Sequence, residues 1–353
     1  MPKVSVLVPY YNDERFLRAA IDSVLAQTFA DFELVLVNHA STDSSRAIAR
    51  ACDDPRLVHV DMPVNHGAGG GLVVEAFMAV ARGEYVKFFC ADDTMEPTGL
   101  ERLVAHLDAH PEQGMAFGNL TYVDADGRPL GADWFSSRPR FSRDLDSAGA
   151  LRELAAGYSV LPWSGSLVRR ALVAGLRLDA TLVMQFDMSV WASLLLRGVK
   201  LGLVDAVVAR YRVHSGQVSS VERRAEAEMI SCYENTAYRR LFLACRDVPL
   251  MRAVFPDDKF VAAATPEDLP LALALHYLVC DRYAFAAYLM LHDAMDDPDG
   301  RRRLETRFGV TVAEFRRMLR RGVGGPRRRS RWVRFRDWLF RRPAKRGGTD
   351  FSL

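Results

Sequence analysis

The chain has 353 residues, 49% of them hydrophobic and 26% charged, enough for one large domain with an appendage or for two domains. Its longest apolar stretches fall short of the 18 or so residues a membrane span needs, and its five cysteines, Cys52, Cys90, Cys232, Cys245 and Cys280, lack zinc-site spacing. Free thiols in a reducing compartment are the expectation, and the net charge of +3 hides an asymmetry: residues 301 to 346 carry 18 Lys and Arg against three acids, so an acidic body bears a basic tail.

The opening MPKVSVLVPYYN runs straight into a strand pattern without a basic, signal-like leader, which predicts a cytoplasmic protein. Over the first 120 residues the apolar runs VSVLVPY, FELVLVN, RLVHVDM and EYVKFFC alternate with segments of helical period: Phe16/Ile21/Val24, Ala47/Ile48, Val73/Phe77/Val80 and Leu100/Leu103/Leu107. That order predicts an α/β fold, a Rossmann-like, mostly parallel sheet with helices on both faces. Ligands of such sheets bind beyond the carboxyl ends of the strands. Tyr10 to Asp13, Asn38 to Asp43 and the pair Asp92-Asp93 should therefore share one rim. NHGAGGGL is not a dinucleotide fingerprint, because Leu72 stands where the third glycine belongs, and it reads as a glycine turn.

Two readings of Asp92-Asp93 stand side by side. Adjacent carboxylates at the end of a buried strand call for a counter-cation, and the same pair ahead of Pro97 suits an ordinary helix cap. Further on, Asp124 to Gly127 signals a hairpin, and LPWSGSLVRR, MQFDMSVWASLLLRG and VVARYRVHSGQVS place polar residues between apolar segments. From about Val221 to Pro298 the pattern is helical. Asp281 and Arg282 break its most apolar part, which predicts a packed helical hairpin and not a membrane span.

VSVLVPYYNDERFLRAAIDSVLAQTFADFELVLVNHASTD, RGEYVKFFCADD, QFDMSVWASLLLRG and RYRVHSGQVS, in that order, resemble the family 2 glycosyltransferases of the GT-A fold over residues 3 to about 220. The resemblance implies inverting transfer of a sugar from a nucleotide-diphosphate sugar to an acceptor hydroxyl, assisted by a divalent metal, Mn or Mg. It implies Asp93 as the direct metal contact, Asp92 for the ribose or a metal-bound water, and His214 returning to the metal or diphosphate. Cys90 stands where the family has its first acid. Asp187 matches the aspartate of the Glu-Asp signature, the catalytic base, with Phe186 in place of the glutamate; a helix cap is its plainer reading. The nucleotide is expected against Pro9, Tyr10 and Asn12, with Asn38 and His39 replacing the acids that meet the base. Ser41 and Asp43 match the family pattern but read as caps. Trp163, Ser164 and Gly165 fall on the acceptor-facing wall, though Trp163 suits a core equally.

These pieces divide the chain into a nucleotide-sugar half (1–120), an acceptor half (121–220), a helical extension (221–300) and a basic tail (301–353). In RWVRFRDWLFRR the tail sets Trp332, Phe335 and Leu339 among arginines at helical spacing, which suits an anionic membrane surface; a solvated strand is the alternative, and nucleic acid is the weaker partner. The leading expectation is a glycosyltransferase acting on a glycan or lipid-linked acceptor in polysaccharide biosynthesis, peripheral at the inner face of the cell membrane. A catalytically silent module that binds a nucleotide sugar or glycan is the alternative, motivated by Cys90, Phe186 and Asn38-His39, and a membrane-docking scaffold is a third.

Overall fold

A computed structural model describes residues 1–67, 70–137, 141, 144–217, 224–280 and 285–324. The expected alternation is present: β1 (Val4–Tyr10), α1 (Leu17–Leu25), β2 (Phe32–Asn38), α2 (Ser45–Arg50), β3 (Leu57–Asp61), α3 (Gly70–Met78) and β4 (Tyr85–Phe88). Then follow β5 (Thr94–Met95), α4 (Gly99–Ala109), β6 (Gln113–Val123), β7 (Pro129–Asp133), α5 (Trp134–Ser137), α6 (Ser147–Ala155), β8 (Ser166–Arg169), α7 (Arg170–Ala174), α8 (Phe186–Leu196) and β9 (Lys200–Arg212).

These strands form one sheet in the order β3-β2-β1-β4-β8-β6-β9-β5, with β7 paired to β6. The expected parallel sheet is present, with antiparallel strands added to it, so that the whole is mixed. β1, β2, β3 and β4 pair in parallel, as do β6 and β9, whereas β8 runs antiparallel between β4 and β6. The four residues of β8 are too few for their direction to be read from periodicity. The division placed at residue 120 falls inside β6, so both halves share one sheet.

Side chains alternate across this sheet with period two. Val4, Val6 and Val8 enter a core with Leu17, Ile21 and Leu103 from α1 and α4 on one face. Leu7, Val35 and Val86 enter the other, with Phe77, Leu154 and Trp191 from α3, α6 and α8. That second core runs on without a break into the helical extension, α9 (Arg224–Leu243), α10 (Val248–Val254), α11 (Lys259–Ala263), α12 (Leu269–Cys280), α13 (Phe285–Asp296), α14 (Pro298–Phe308) and α15 (Val312–Gly324). α12 and α13 pack against each other as the expected hairpin, and α9 packs on both. No helix among the described residues is long and apolar enough to cross a membrane. Asp281, Arg282, Trp332, Phe335 and Leu339 lie outside the described residues.

The direction of the connections reverses between β1 and β4: β2 and β3 lie to one side of β1 and β4 to the other. This switch point opens a crevice at the carboxyl ends of the two strands, the usual ligand position in an open α/β sheet. Tyr10 closes β1 there, and the chain after β4 leads within four residues to Asp92.

Candidate active site

The two adjacent acids have opposite surroundings. Asp93 is fully buried: its Oδ2 accepts from Ser164 Oγ at 2.5 Å and its Oδ1 from the Arg212 backbone N–H at 2.9 Å. Burial, reinforced by Asp92, holds its carboxyl well above the usual range. Asp92 keeps 20% of its side chain exposed, and its Oδ2 meets His214 Nε2 at 3.1 Å. Neither acid caps a helix, because β5 intervenes and pairs with β9, and α4 starts only at Gly99. Both oxygens of Asp93, the expected direct metal contact, brace β4 against β9 and the turn before β8.

His214 has a defined tautomer. The Gly216 backbone N–H donates to Nδ1 at 3.2 Å, and a backbone N–H can only donate, so in the neutral ring the proton sits on Nε2, facing Asp92. Gln217 Nε2 adds a 3.4 Å contact to the same carboxylate oxygen, and the imidazole leans on the Phe16 ring at 4.7 Å. Asp13, not singled out from sequence, shares this corner; burial, followed by the Asp92 and Asp43 charges, pushes its carboxyl up to about 6.

Cys90 Sγ and one oxygen from each of Asp92 and Asp93 lie within 4.8 Å of one another, a donor set with the dimensions of a cation site. The set fits a hard divalent ion through Asp92, with His214 beside it once its ring takes the other tautomer, with the proton on Nδ1 in place of the Gly216 N–H contact. Cys90 contributes less, since burial raises its thiol and keeps the proton on sulfur. Beneath it Lys87 is fully buried and donates to the carbonyls of Ser164 and Phe88; burial pushes its ammonium down to about 7.

The loops after β1 and β2 are joined by side chains. Asn12, at φ 54°, accepts from the Thr42 N–H at 2.8 Å and donates its own N–H to Ser41 Oγ; Asp43 accepts from the N–H groups of Glu14 and Ser45. Of the two residues read as caps, Asp43 takes the N–H of Ser45, the first residue of α2, whereas Ser41 joins the loop after β1 instead. Asn38, expected to meet the base, is engaged locally: its Nδ2 donates to Asp61 at 3.0 Å, which takes one of its two amide hydrogens, and its Oδ1 accepts from Ser41 N–H at 2.9 Å. Asp61 is held ionised by Arg46 first, with Arg50 and Asn38 adding to it. His39 accepts from the His66 N–H at Nε2, so in the neutral ring its proton is on Nδ1, and burial, with His66, lowers its basicity. Tyr10 is buried, with its hydroxyl pushed up to about 12 by burial, and Pro9 is half-buried in β1 opposite Val37.

Ser164 and Gly165, expected on the acceptor-facing wall, are buried beside Asp93. The Ser164 hydroxyl, 2% exposed with its residue, donates to Asp93 and accepts from the Cys90 N–H, and a Cβ on Gly165 would lie 2.6 Å from the Gly118 carbonyl. Trp163 is half-buried, stacked on Phe88 at 4.2 Å and set edge-on to Phe186 at 5.7 Å. Phe186 fills space in place of the family's glutamate: a Cβ on Gly70 would come within 2.3 Å of its ring, so the first residue of α3 is a glycine for the sake of that ring. Asp187 lies in the first turn of α8, half-buried, accepting from Ser159 Oγ at 3.2 Å and from the Met188 N–H.

The sequence profile of glycosyl transferase family 2 matches residues 5–173, from within β1 through β8 into α7. Over those residues the chain is similar to that family. An uncharacterized glycosyltransferase of Nostoc is 33% identical over 174 residues, covering 48% of this chain and 52% of that protein, so the alignment spans about half of the relative's length. The Escherichia coli protein WfaP, described as a UDP-Glc:alpha-D-GlcNAc-diphosphoundecaprenol beta-1,3-glucosyltransferase, is 24% identical over 220 residues, 62% of this chain and 81% of its own. Among solved structures, TarS 1-349 of S. aureus in complex with UDP-GlcNAc covers 90% of both chains at 17% identity and a TM-score of 0.51, a likeness of fold. Asp187 and His214 both lie beyond the matched span.

The residue missed most completely from sequence is Glu234, on α9. Buried to 7% exposure, its carboxylate accepts from the backbone N–H groups of Val183, Met184 and Gln185, at 2.5, 2.8 and 2.9 Å. A lone glutamate within a helical pattern gave no signal for this, because its partners lie about 50 residues earlier and are backbone atoms.

Proposed function

We propose that this chain transfers a sugar, with inversion, from a nucleotide-diphosphate sugar to a glycan or lipid-linked acceptor hydroxyl in the building of a polysaccharide, using a divalent metal. The observation that carries the reading is the contact between Asp92 and His214 at the switch point of the sheet, made by residues 122 apart in sequence. Asp92 and His214 would hold the metal. Bound there, a divalent cation offsets the charge that develops on a departing diphosphate.

The nucleoside would extend over the ends of β1 and β2 beside Tyr10, Asn12 and His39. His39 then offers a donor, since its Nε2 is engaged by the His66 N–H. Asp187 is the base: it takes the acceptor hydroxyl proton as the acceptor oxygen bonds to the anomeric carbon, while the opposite bond to phosphate oxygen breaks and the nucleoside diphosphate leaves with the electron pair. Trp163, next to Phe186 and one residue from Ser164, gives the acceptor side an aromatic wall. A lipid-linked acceptor is supported by the description of WfaP and by the basic, aromatic sequence of residues 326–353, which suits an anionic membrane surface.

Hydrolysis of a panel of nucleotide sugars, with and without manganese or magnesium, tests the reading. Turnover of at least one donor that EDTA removes and metal restores is the expected result. Binding of a nucleotide sugar without hydrolysis or transfer to any acceptor would favour the silent module, which Phe186 and Cys90 motivate.

A further inference from the structure

The helical extension reaches the segment before the proposed base through Glu234. The segment leading into α8 has no side-chain cap of its own: Gln185 occupies the cap position and makes no capping hydrogen bond. Its N–H groups are instead gathered by Glu234 of α9, three of them in succession on one carboxylate. Such a concave run of N–H groups is a natural anion seat, and a carboxylate there forms charge-assisted bonds about twice as strong as neutral ones. The same face of α9 continues the contact. Ser231, one turn before Glu234, accepts from Gln185 Nε2 through its carbonyl, and Tyr238, one turn after, donates its hydroxyl to the Leu154 carbonyl of α6. Asp187 is two residues beyond the last N–H that Glu234 holds.

We propose that Glu234 is a positioning residue for transfer: by fixing the approach to α8 it sets where the Asp187 carboxylate stands, and so makes the helical extension part of the catalytic unit. A displacement of about 1 Å at a reacting group can cost about a hundredfold in rate, so a seat two residues from the base is a place where positioning has leverage. The inference rests on Asp187 acting as base, and the experiment separates the two claims.

The test is a double-mutant cycle on the full chain, Glu234→Ala and Glu234→Gln each combined with Asp187→Asn, reading kcat and donor KM, with thermal melts confirming folding at the assay temperature. Acting through Asp187, Glu234→Ala lowers kcat about tenfold or more and leaves donor KM within about twofold. The same substitution in the Asp187→Asn background changes kcat less than about twofold. Glu234→Gln, which keeps one acceptor oxygen and the side-chain shape, recovers part of the rate and guards against a variant that merely fails to fold. Equal losses in both backgrounds, or a lower melting temperature with native kcat in both Glu234 variants, would overturn the positioning role. Full turnover by Asp187→Asn alone would instead remove the base assignment.

Discussion

The rims that follow β2 and β4 have the same sequence character, a strand ending in a cluster of Asn, Asp, Ser or His, yet they differ in what is left over once the chain has folded. After β2 the polar groups are consumed locally: Asn38 holds Asp61 and Ser41, Asp43 holds the backbone of Glu14 and Ser45, and Asn12 reaches across from β1 to Thr42. After β4 one acid is consumed and one is not. Asp93 is closed in by Ser164 and Arg212, while Asp92 faces the crevice with a histidine from the end of β9. A polar cluster at a strand end therefore reports a rim, and only the tally of its hydrogen-bond partners tells shape from chemistry.

The sharpest way to break this comparison is to exchange the two neighbours. Asp92→Asn is expected to abolish metal-dependent binding of a nucleotide diphosphate in calorimetry while leaving the melting temperature nearly unchanged. Asp93→Asn should keep that binding and alter stability instead. Its carboxyl titrates higher in the fold than in the unfolded chain, so the native protein loses stability as pH rises from about 4 toward the raised value. Melting curves across pH should show this loss in the parent and a flatter profile in Asp93→Asn. A variant pair with the two outcomes reversed would return the metal to Asp93.

Next in size is Asp187→Asn, which keeps the shape but cannot accept a proton. Donor affinity should hold while transfer falls by about two to four orders of magnitude, the usual contribution of a positioned base. Steady-state kinetics with a donor that is turned over decides it.

Smaller effects belong to the brace. Ser164→Ala removes the hydroxyl that links Asp93 to the Cys90 N–H, and both are left buried without that partner. A loss of about 1–3 kcal/mol in denaturant unfolding is expected, with donor KM little changed. An unchanged midpoint would mean that the Asp93 side of the comparison carries no structural load.

The last effect concerns Lys87 and shows only as a pH dependence. Burial lowers its ammonium from 10.5 to about 7, so the folded chain binds fewer protons than the unfolded one between those values, and stability rises with pH through that window and falls again as pH drops to 7. Lys87→Met should remove that slope, read as melting temperature against pH between about 7 and 10, at the expense of the two carbonyls that Lys87 serves.

Much of the first half was legible because it is periodic. β1 and β2 appear where alternating Val and Leu place them, and the helices between them follow their apolar spacing. The direction of β8 was not legible, since a strand of four residues has no period to read and its pairing is set by β4 and β6, far away in sequence. At the site, the residues to examine were visible and their division of labour was not. Asp92 and Asp93 are chemically identical, and only Ser164, 71 residues later, and the Arg212 N–H, 119 residues later, decide which one is spent. Ser164 itself was read as facing an acceptor because its hydroxyl partner cannot be seen in a linear motif. Glu234 was invisible for the same reason, as its partners are backbone groups with no residue identity to match.

The 122 residues that separate Asp92 from His214 also set a clock. A ribosome adding roughly 5–20 residues per second needs about 6–24 s to pass from one to the other. During that interval β1 to β4 can pair in parallel and bury their valines, but the Arg212 N–H and the histidine do not yet exist, and Asp92 and Asp93 stand together with neither partner from β9. Until Ser164 is made, 71 residues after Asp93, the newborn chain carries two adjacent unpaired carboxylates at the mouth of a half-built sheet. Arrival of β9 ends that period by pairing with β6 and β5 at once, so the crevice is completed by the last strand of the sheet to be synthesised.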